Sequence, residues 1–251
     1  MSEFMTSPEG RRIAYDLTPG KGPGVVFLGG FLSDKEGTKA LALEDWARRH
    51  GRAFLRFDYS GHGQSSGVFR EGSLGDWFED ARAAILTLTE GPQILVGSSM
   101  GGWIALLLAR AHPEKLAGLV TIAAAPDFTE DGMWDSFSQD QRDQIMTKGY
   151  LEMPSDYADE PYHITRRLIE DGRNHLVLRS PLDLPFPVRM LQGTADTDVP
   201  PAVAMRLIDH VTGPDIRLTL VKGVDHRFST PECLKLIELS VLKIVVRSGE
   251  T

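Results

Sequence analysis

The 251-residue sequence holds a single cysteine, Cys233. One thiol can form neither an internal disulfide nor a cysteine metal cluster, which fits a reducing compartment, and "PECLKL" reads as helix packing rather than a nucleophile. No run approaches the roughly eighteen apolar residues of a membrane-spanning helix, so no membrane span is expected. Positive charge is also scarce, with 27 Lys and Arg against 35 Asp and Glu and a net charge of −8. No basic block could neutralise phosphates, and nucleic acid is excluded as an expected partner. Neither a His-x-x-x-His zinc pattern nor a Gly-rich dinucleotide loop after the first strand is found, so no metal or cofactor is expected. The opening "MSEFMTSPEGRRIAYD" lacks a basic stretch followed by an apolar one, and a soluble, cytoplasmic protein is the expectation.

What is present is apolar content, 41% of the chain, enough for one α/β domain spanning 1–251. "EFMTS" and "RRIAYDL" flank the turn Pro8, Glu9, Gly10 and predict an antiparallel hairpin. Later runs are short and apolar throughout, as strands covered on both faces are: "GVVFLGG", "AFLRFDY", "QILVGS", "LAGLVTIAAA", "VRMLQG" and "IRLTLVKG". Helical stretches separate them. Between Ser73 and Glu90, for example, Ser73 can cap a helix whose apolar face carries Trp77, Phe78, Ala81, Ala84, Ile85 and Leu88. The alternation predicts a mostly parallel central sheet with helices on both faces. About sixty residues between "AAAP" and "VRMLQG" exceed an ordinary connection and predict a small helical cap inserted at 127–186. Its Trp134, Phe137, Tyr150, Met153, Tyr157, Tyr162 and His163 could cover an apolar pocket or only anchor the insert.

The motif that carries chemistry is "QILVGSSMGGW", residues 93 to 103. "GSSMG" fits G-x-S-x-G, a strand-to-helix turn that lifts Ser99 into strained backbone geometry, with Gly97 and Gly101 leaving room for it. Ser98 is then packing. The helix that follows starts at Met100, so its unpaired amides face a developing oxyanion. A serine needs a base, and for this turn the chain order is Ser, acid, His. His226 in "VKGVDHRF", just past the last strand, is the candidate base. His50, His112 and His210 sit at helix ends, His163 and His175 in the cap, and His62 between glycines in a turn.

For the acid, "LQGTADTDVP" offers Asp196 and Asp198. Asp196 is favoured because it lies nearer the strand end, while Asp198 before Val199 and Pro200 reads as a cap or turn former. Asp225 is too close in sequence to fold back on His226. A second oxyanion donor is expected from the loop after "VVFLGG", at the Phe31 amide, beside that of Met100.

Together the elbow, acid loop and histidine loop resemble the α/β-hydrolase superfamily over nearly the whole chain. A narrower resemblance, to the family of α/β-hydrolase domain-containing protein ten, is carried by "GTKALALE" at 37–44, "RFDYSG" at 56–61, "GPQILVGSSMGGW" at 91–103, "PEK" at 113–115, "MPSDY" at 153–157 and "DHR" at 225–227. That resemblance implies an acyl-protein thioesterase that removes palmitoyl groups, or an esterase of mycophenolic acid acyl-glucuronide. It puts the nucleophile on Ser99, the acid on Asp196 and the base on His226. The expected chemistry is acyl transfer from an ester or thioester substrate through an acyl-enzyme, with Trp103 and His163 as candidate substrate contacts. Arg166 and Arg167 read as a solvated helix face or as partners of a substrate carboxylate. A small-molecule carboxylesterase, a peptidase, and a non-catalytic receptor on the same fold are the competing readings.

Overall fold

The computed structural model describes residues 2–154 and 161–247, so Tyr157 lies outside the described residues. Strands β1 (Glu3–Thr6) and β2 (Arg12–Thr18) form the antiparallel hairpin that the Pro-Glu-Gly turn predicts. Strand and helix then alternate: β3 (Lys21–Leu28), α1 (Thr38–Arg49), β4 (Arg52–Phe57), α2 (Leu74–Leu88), β5 (Gln93–Ser98), α3 (Met100–Ala111) and β6 (Leu116–Ile122). Next come a π-helical turn (Phe128–Met133), α4 (Gln139–Lys148), an antiparallel pair β7 (Tyr150–Met153) and β8 (Tyr162–Thr165), α5 (Arg166–Gly172) and the short β9 (Leu182–Asp183). The chain closes with β10 (Val188–Gly193), α6 (Pro201–His210), β11 (Val211–Thr212), β12 (Ile216–Val221) and α7 (Pro231–Arg247).

Eight strands make one sheet in the order β1-β2-β4-β3-β5-β6-β10-β12, antiparallel at the β1–β2 and β2–β4 pairs and parallel beyond them. Its side chains alternate between two cores, as the two-residue period of a strand requires. Val25, Phe27, Phe54, Ile94 and Val96 pack with residues of α1 and α7, whereas Val26, Leu28, Leu55 and Leu95 pack with residues of α2 and α3. Each such residue, when fully buried, contributes about 1.5–3 kcal/mol. In α2 the Ser73 hydroxyl accepts from the Asp76 amide at 3.4 Å, and Trp77, Ala81, Ala84 and Ile85 are buried as the spacing predicts. Cys233 is buried on α7.

One expectation is corrected. β12 is not covered on both faces: it ends the strand order, and its residues are exposed or half-buried, with Leu220 46% exposed. Helix α3 is covered all round, with every residue from Met100 to Ala109 buried. The chain between β6 and β10 lies over its outer side, where Trp103 Nε1 donates to the His175 carbonyl (3.0 Å) and Arg110 to the Leu176 carbonyl (3.0 Å).

Candidate active site

The elbow follows from steric exclusion. Ser99 stands between β5 and α3 with φ 54° and ψ −119°, a left-handed backbone that costs on the order of 1–3 kcal/mol for a residue with a Cβ. The turn closes because Gly97 and Gly101 have no Cβ. A methyl on Gly97 would lie 2.4 Å from the Gly101 carbonyl oxygen, and one on Gly101 2.1 Å from that of Leu28. Gly30, after β3, brings its loop against the elbow, since a Cβ there would lie 3.4 Å from Ser99 Cβ. The amides of Phe31 and Met100 stand on either side of this contact. Among the described residues neither donates to a protein acceptor.

Three side chains expected from sequence order meet at this edge. His226, in the loop between β12 and α7, has Nε2 3.1 Å from Ser99 Oγ and Nδ1 2.9 Å from Asp196 Oδ2. With the Nδ1 proton donated to the carboxylate, Nε2 is left to accept from the serine hydroxyl. Asp196 is buried at the end of β10, where Oδ1 accepts from the amides of Asp198 (3.0 Å) and Val199 (2.8 Å). Burial alone would raise its pKa, but the bond from His226, the Val199 amide and Gln192 together hold it below the usual carboxylate value. The carboxylate is thereby kept ionised beside the imidazole. Gly193 lets the histidine loop come close, because a Cβ there would lie 2.2 Å from the Val224 carbonyl oxygen.

Other candidates are placed elsewhere. Asp198 is exposed and does not cap α6, whose N-cap is Pro200; its amide serves Asp196 instead. Asp225 accepts from the Phe228 amide at 3.4 Å, a turn within the histidine loop. His62 is buried with its ring edge-on to Tyr59, Phe69 and Trp77 and Nδ1 3.1 Å from the Ser60 carbonyl; burial pushes its pKa down to about 4. Trp103, expected to meet substrate, is 0% exposed and offers no surface to a ligand. It is corrected to a core residue that ties the β6–β10 chain to α3. His163 stacks on Tyr150 at 4.6 Å and lies 3.5 Å from Glu152, a partnership internal to the β7–β8 pair. Arg166 pairs with Glu170 (2.7 Å) and Arg167 with Asp76 (2.6 Å), so both cations are engaged on the surface.

Sequence reading missed Gln192. Its Nε2 lies 2.9 Å from Asp196 Oδ2 and 3.0 Å from the Val199 carbonyl, and the residue is fully buried. A polar side chain one residue from the end of a mostly apolar strand was the available signal. The ring of Phe31, whose amide alone was assigned, touches Phe69 (4.8 Å), Trp77 (5.9 Å), Phe128 (5.8 Å) and Tyr162 (6.0 Å). The loop after β3 is thus bordered by aromatic rings from three parts of the chain, half-buried at Phe69, Phe128 and Tyr162 and fully buried at Trp77.

A parallel sheet with a serine elbow at its carboxyl edge is the build of an α/β-hydrolase, and known proteins agree. The family model described as serine aminopeptidase, S33, matches residues 25–157. The bovine (Bos taurus) palmitoyl-protein thioesterase ABHD10, mitochondrial, is 38% identical over 242 residues, covering 95% of this chain and 78% of that protein. Its human (Homo sapiens) counterpart is 38% identical over 239 residues, covering 95% and 78%. Among solved structures, a putative hydrolase from Agrobacterium vitis S4 superimposes with a TM-score of 0.92 at 39% identity, covering 98% of both chains. Mouse α/β-hydrolase domain-containing protein 10 superimposes with a TM-score of 0.91 at 35% identity, covering 98% of this chain and 99% of that one. The molecule is a hydrolase of the α/β-hydrolase class. Within the α/β-hydrolase superfamily, it belongs to the family that includes ABHD10.

These relatives also correct the expected location. The mammalian proteins are mitochondrial by name, which points to the mitochondrion rather than the cytoplasm. The character of the opening residues is not a basis for placing the chain. Among the described residues no helix is long and apolar enough to cross a membrane.

Proposed function

We propose that the protein cleaves long-chain acyl thioesters through Ser99, His226 and Asp196, in the manner of a protein depalmitoylase. The observation that carries this reading is the unbroken chain of hydrogen bonds from Ser99 Oγ to His226 Nε2 and from His226 Nδ1 to Asp196. His226 takes the serine proton as Oγ attacks the acyl carbonyl, and Asp196 stabilises the imidazolium that forms. The amides of Phe31 and Met100 receive the oxyanion, each worth on the order of a hundredfold in rate. Collapse expels the thiol, which takes its proton from His226. Water, deprotonated by the same imidazole, then releases the acid and regenerates Ser99.

The substrate class is supported by the names of the mammalian relatives and by the apolar rings beside the oxyanion loop. Residues 127–186 are read as a cap on the one domain of the chain, with Phe128 and Tyr162 rather than Trp103 bordering the acyl group. Acyl-glucuronide and other oxygen esters are the second reading, since the same acyl-enzyme serves both leaving groups.

The test is a chain-length series of acyl thioesters and matched oxygen esters, followed by acid release, for the parent and Ser99→Ala. Fastest turnover of long-chain thioesters, and its loss in Ser99→Ala by about a millionfold in kcat, is the expected result. Preference for oxygen esters would move the assignment to a small-molecule esterase. Turnover surviving in Ser99→Ala would remove the serine mechanism.

A further inference from the structure

Two stretches singled out in the sequence, "GTKALALE" and "DHR", enter the proposed chemistry only through His226. They lie at opposite ends of the chain, yet one hydrogen bond joins them: Lys39 Nζ donates to the Arg227 carbonyl oxygen at 2.6 Å. Lys39 stands in the first turn of α1, and Arg227 is the residue after His226.

The need for such a bond follows from how the histidine loop is held. On one side it is anchored by packing: Phe228 is fully buried in the core shared with α7, with φ 50°, and Val224 lies against Gly193. On the side facing α1 there is a gap outside that core. A polar hollow of about 180 Å³, lined by Gly30, Ser33, Thr38, Lys39, Ser98 and Arg227 among others, lies between helix, loop and elbow. Side chains bordering such an open space gain no apolar contact across it. The lysine bond spans the gap. Burial and the nearby Arg227 lower the pKa of the ammonium, while Asp225 opposes them.

We propose that Lys39 is a positioning residue that holds the His226 loop in register with Ser99 by bonding the Arg227 carbonyl across this hollow. The inference rests on the Ser99–His226–Asp196 reading above. A charged donor to a carbonyl is among the stronger single hydrogen bonds, and a misplacement of about 1 Å in a reacting group costs on the order of a hundredfold in rate. Lys39 touches no reacting atom, so its effect falls on the rate of acylation rather than on substrate affinity.

The experiment compares Lys39→Met, Lys39→Arg and Ser99→Ala with the parent on one acyl thioester, reading kcat, KM and the thermal midpoint. Lys39→Met is expected to lower kcat about tenfold, with KM and thermal midpoint close to parental, and Lys39→Arg, which keeps a charged donor, to restore most of the rate. A kcat for Lys39→Met within about twofold of the parent overturns the proposal, as does a loss that Arg fails to restore. Should the Met variant not fold, Lys39→Leu, which likewise has no donor, is read by the same criteria. Ser99→Ala separates the two levels: activity surviving there sinks the triad, whereas an inactive Ser99→Ala beside a fully active Lys39→Met sinks the lysine alone.

Discussion

The carboxyl edge of the sheet and the chain between β6 and β10 are ordered by different means. At the edge, backbone lies against backbone: Gly97, Gly101 and Gly193 each stand where a methyl would lie 2.1–2.4 Å from a carbonyl oxygen. Few other residues could occupy those positions. The β6–β10 chain is instead held together largely by its own side chains. Asp127 accepts from the Val177 (2.7 Å) and Leu178 (3.0 Å) amides, Arg179 and Arg206 converge on Asp131, and Arg173 pairs with Glu130 at 2.7 Å. Such pairs are exchangeable, and exposed ones contribute at most about 1 kcal/mol each. Under the proposed function the contrast separates chemistry from selection: the edge would hold the reacting atoms to a fraction of an ångström, while the β6–β10 chain, read as a cap, could be rebuilt without disturbing them.

The largest expected effect probes the edge through its chemistry. Asp196→Asn keeps the shape of the carboxyl group but loses the charge that sets the His226 tautomer, and kcat should fall about ten-thousandfold. Steady-state kinetics with an unchanged circular dichroism spectrum checks this; a loss below about tenfold would move the acid elsewhere. Next, Gly101→Ala should destabilise the fold by several kcal/mol or abolish it, because the clashing carbonyls are backbone at the end of β3, Leu28, and just after it, Gly29. Gly132→Ala in the β6–β10 chain, whose nearest neighbour is Phe128 Cβ at 3.7 Å, should change stability by about 0.5 kcal/mol or less. Equal midpoints in urea for the two variants would erase the contrast.

A further effect, visible only as the pH falls, concerns His62, which touches Phe69 and Trp77 beneath the ring of Phe31. Its folded pKa is depressed to about 4 by burial, from the ordinary imidazole value of 6.5. The unfolded chain therefore takes up this proton first. The stability it contributes is complete above about pH 6.5 and is lost as the pH falls toward 4, by on the order of 3 kcal/mol. Urea midpoints between pH 7 and 4 should show the loss, and His62→Phe should flatten it. The Ser60 carbonyl would keep its bond from Trp77 Nε1 (3.1 Å) in that variant. An identical pH slope in parent and variant would assign the loss to other groups.

The strands, their parallel alternation with helices, the elbow and the order Ser99, Asp196, His226 were all legible from the chain, because each rests on a local cause. A short run apolar throughout makes a strand covered on both faces, a glycine on either side makes the turn possible, and the end of a strand puts an acid or base at the same edge. What the chain order left open was settled by contacts between distant segments. Trp103 has the pattern of a pocket residue, but the segment around His175 lies over α3 and buries it. β12 carries Arg217 and Thr219 between its apolar residues, and among the described residues nothing pairs beyond it in the sheet order. Gln192 and Lys39 carry no motif of their own, and their partners at Asp196 and Arg227 become neighbours only when the loops converge. Periodicity and sterics act within a few residues, whereas burial and hydrogen-bond partnership depend on which remote surfaces the folded sheet brings into contact.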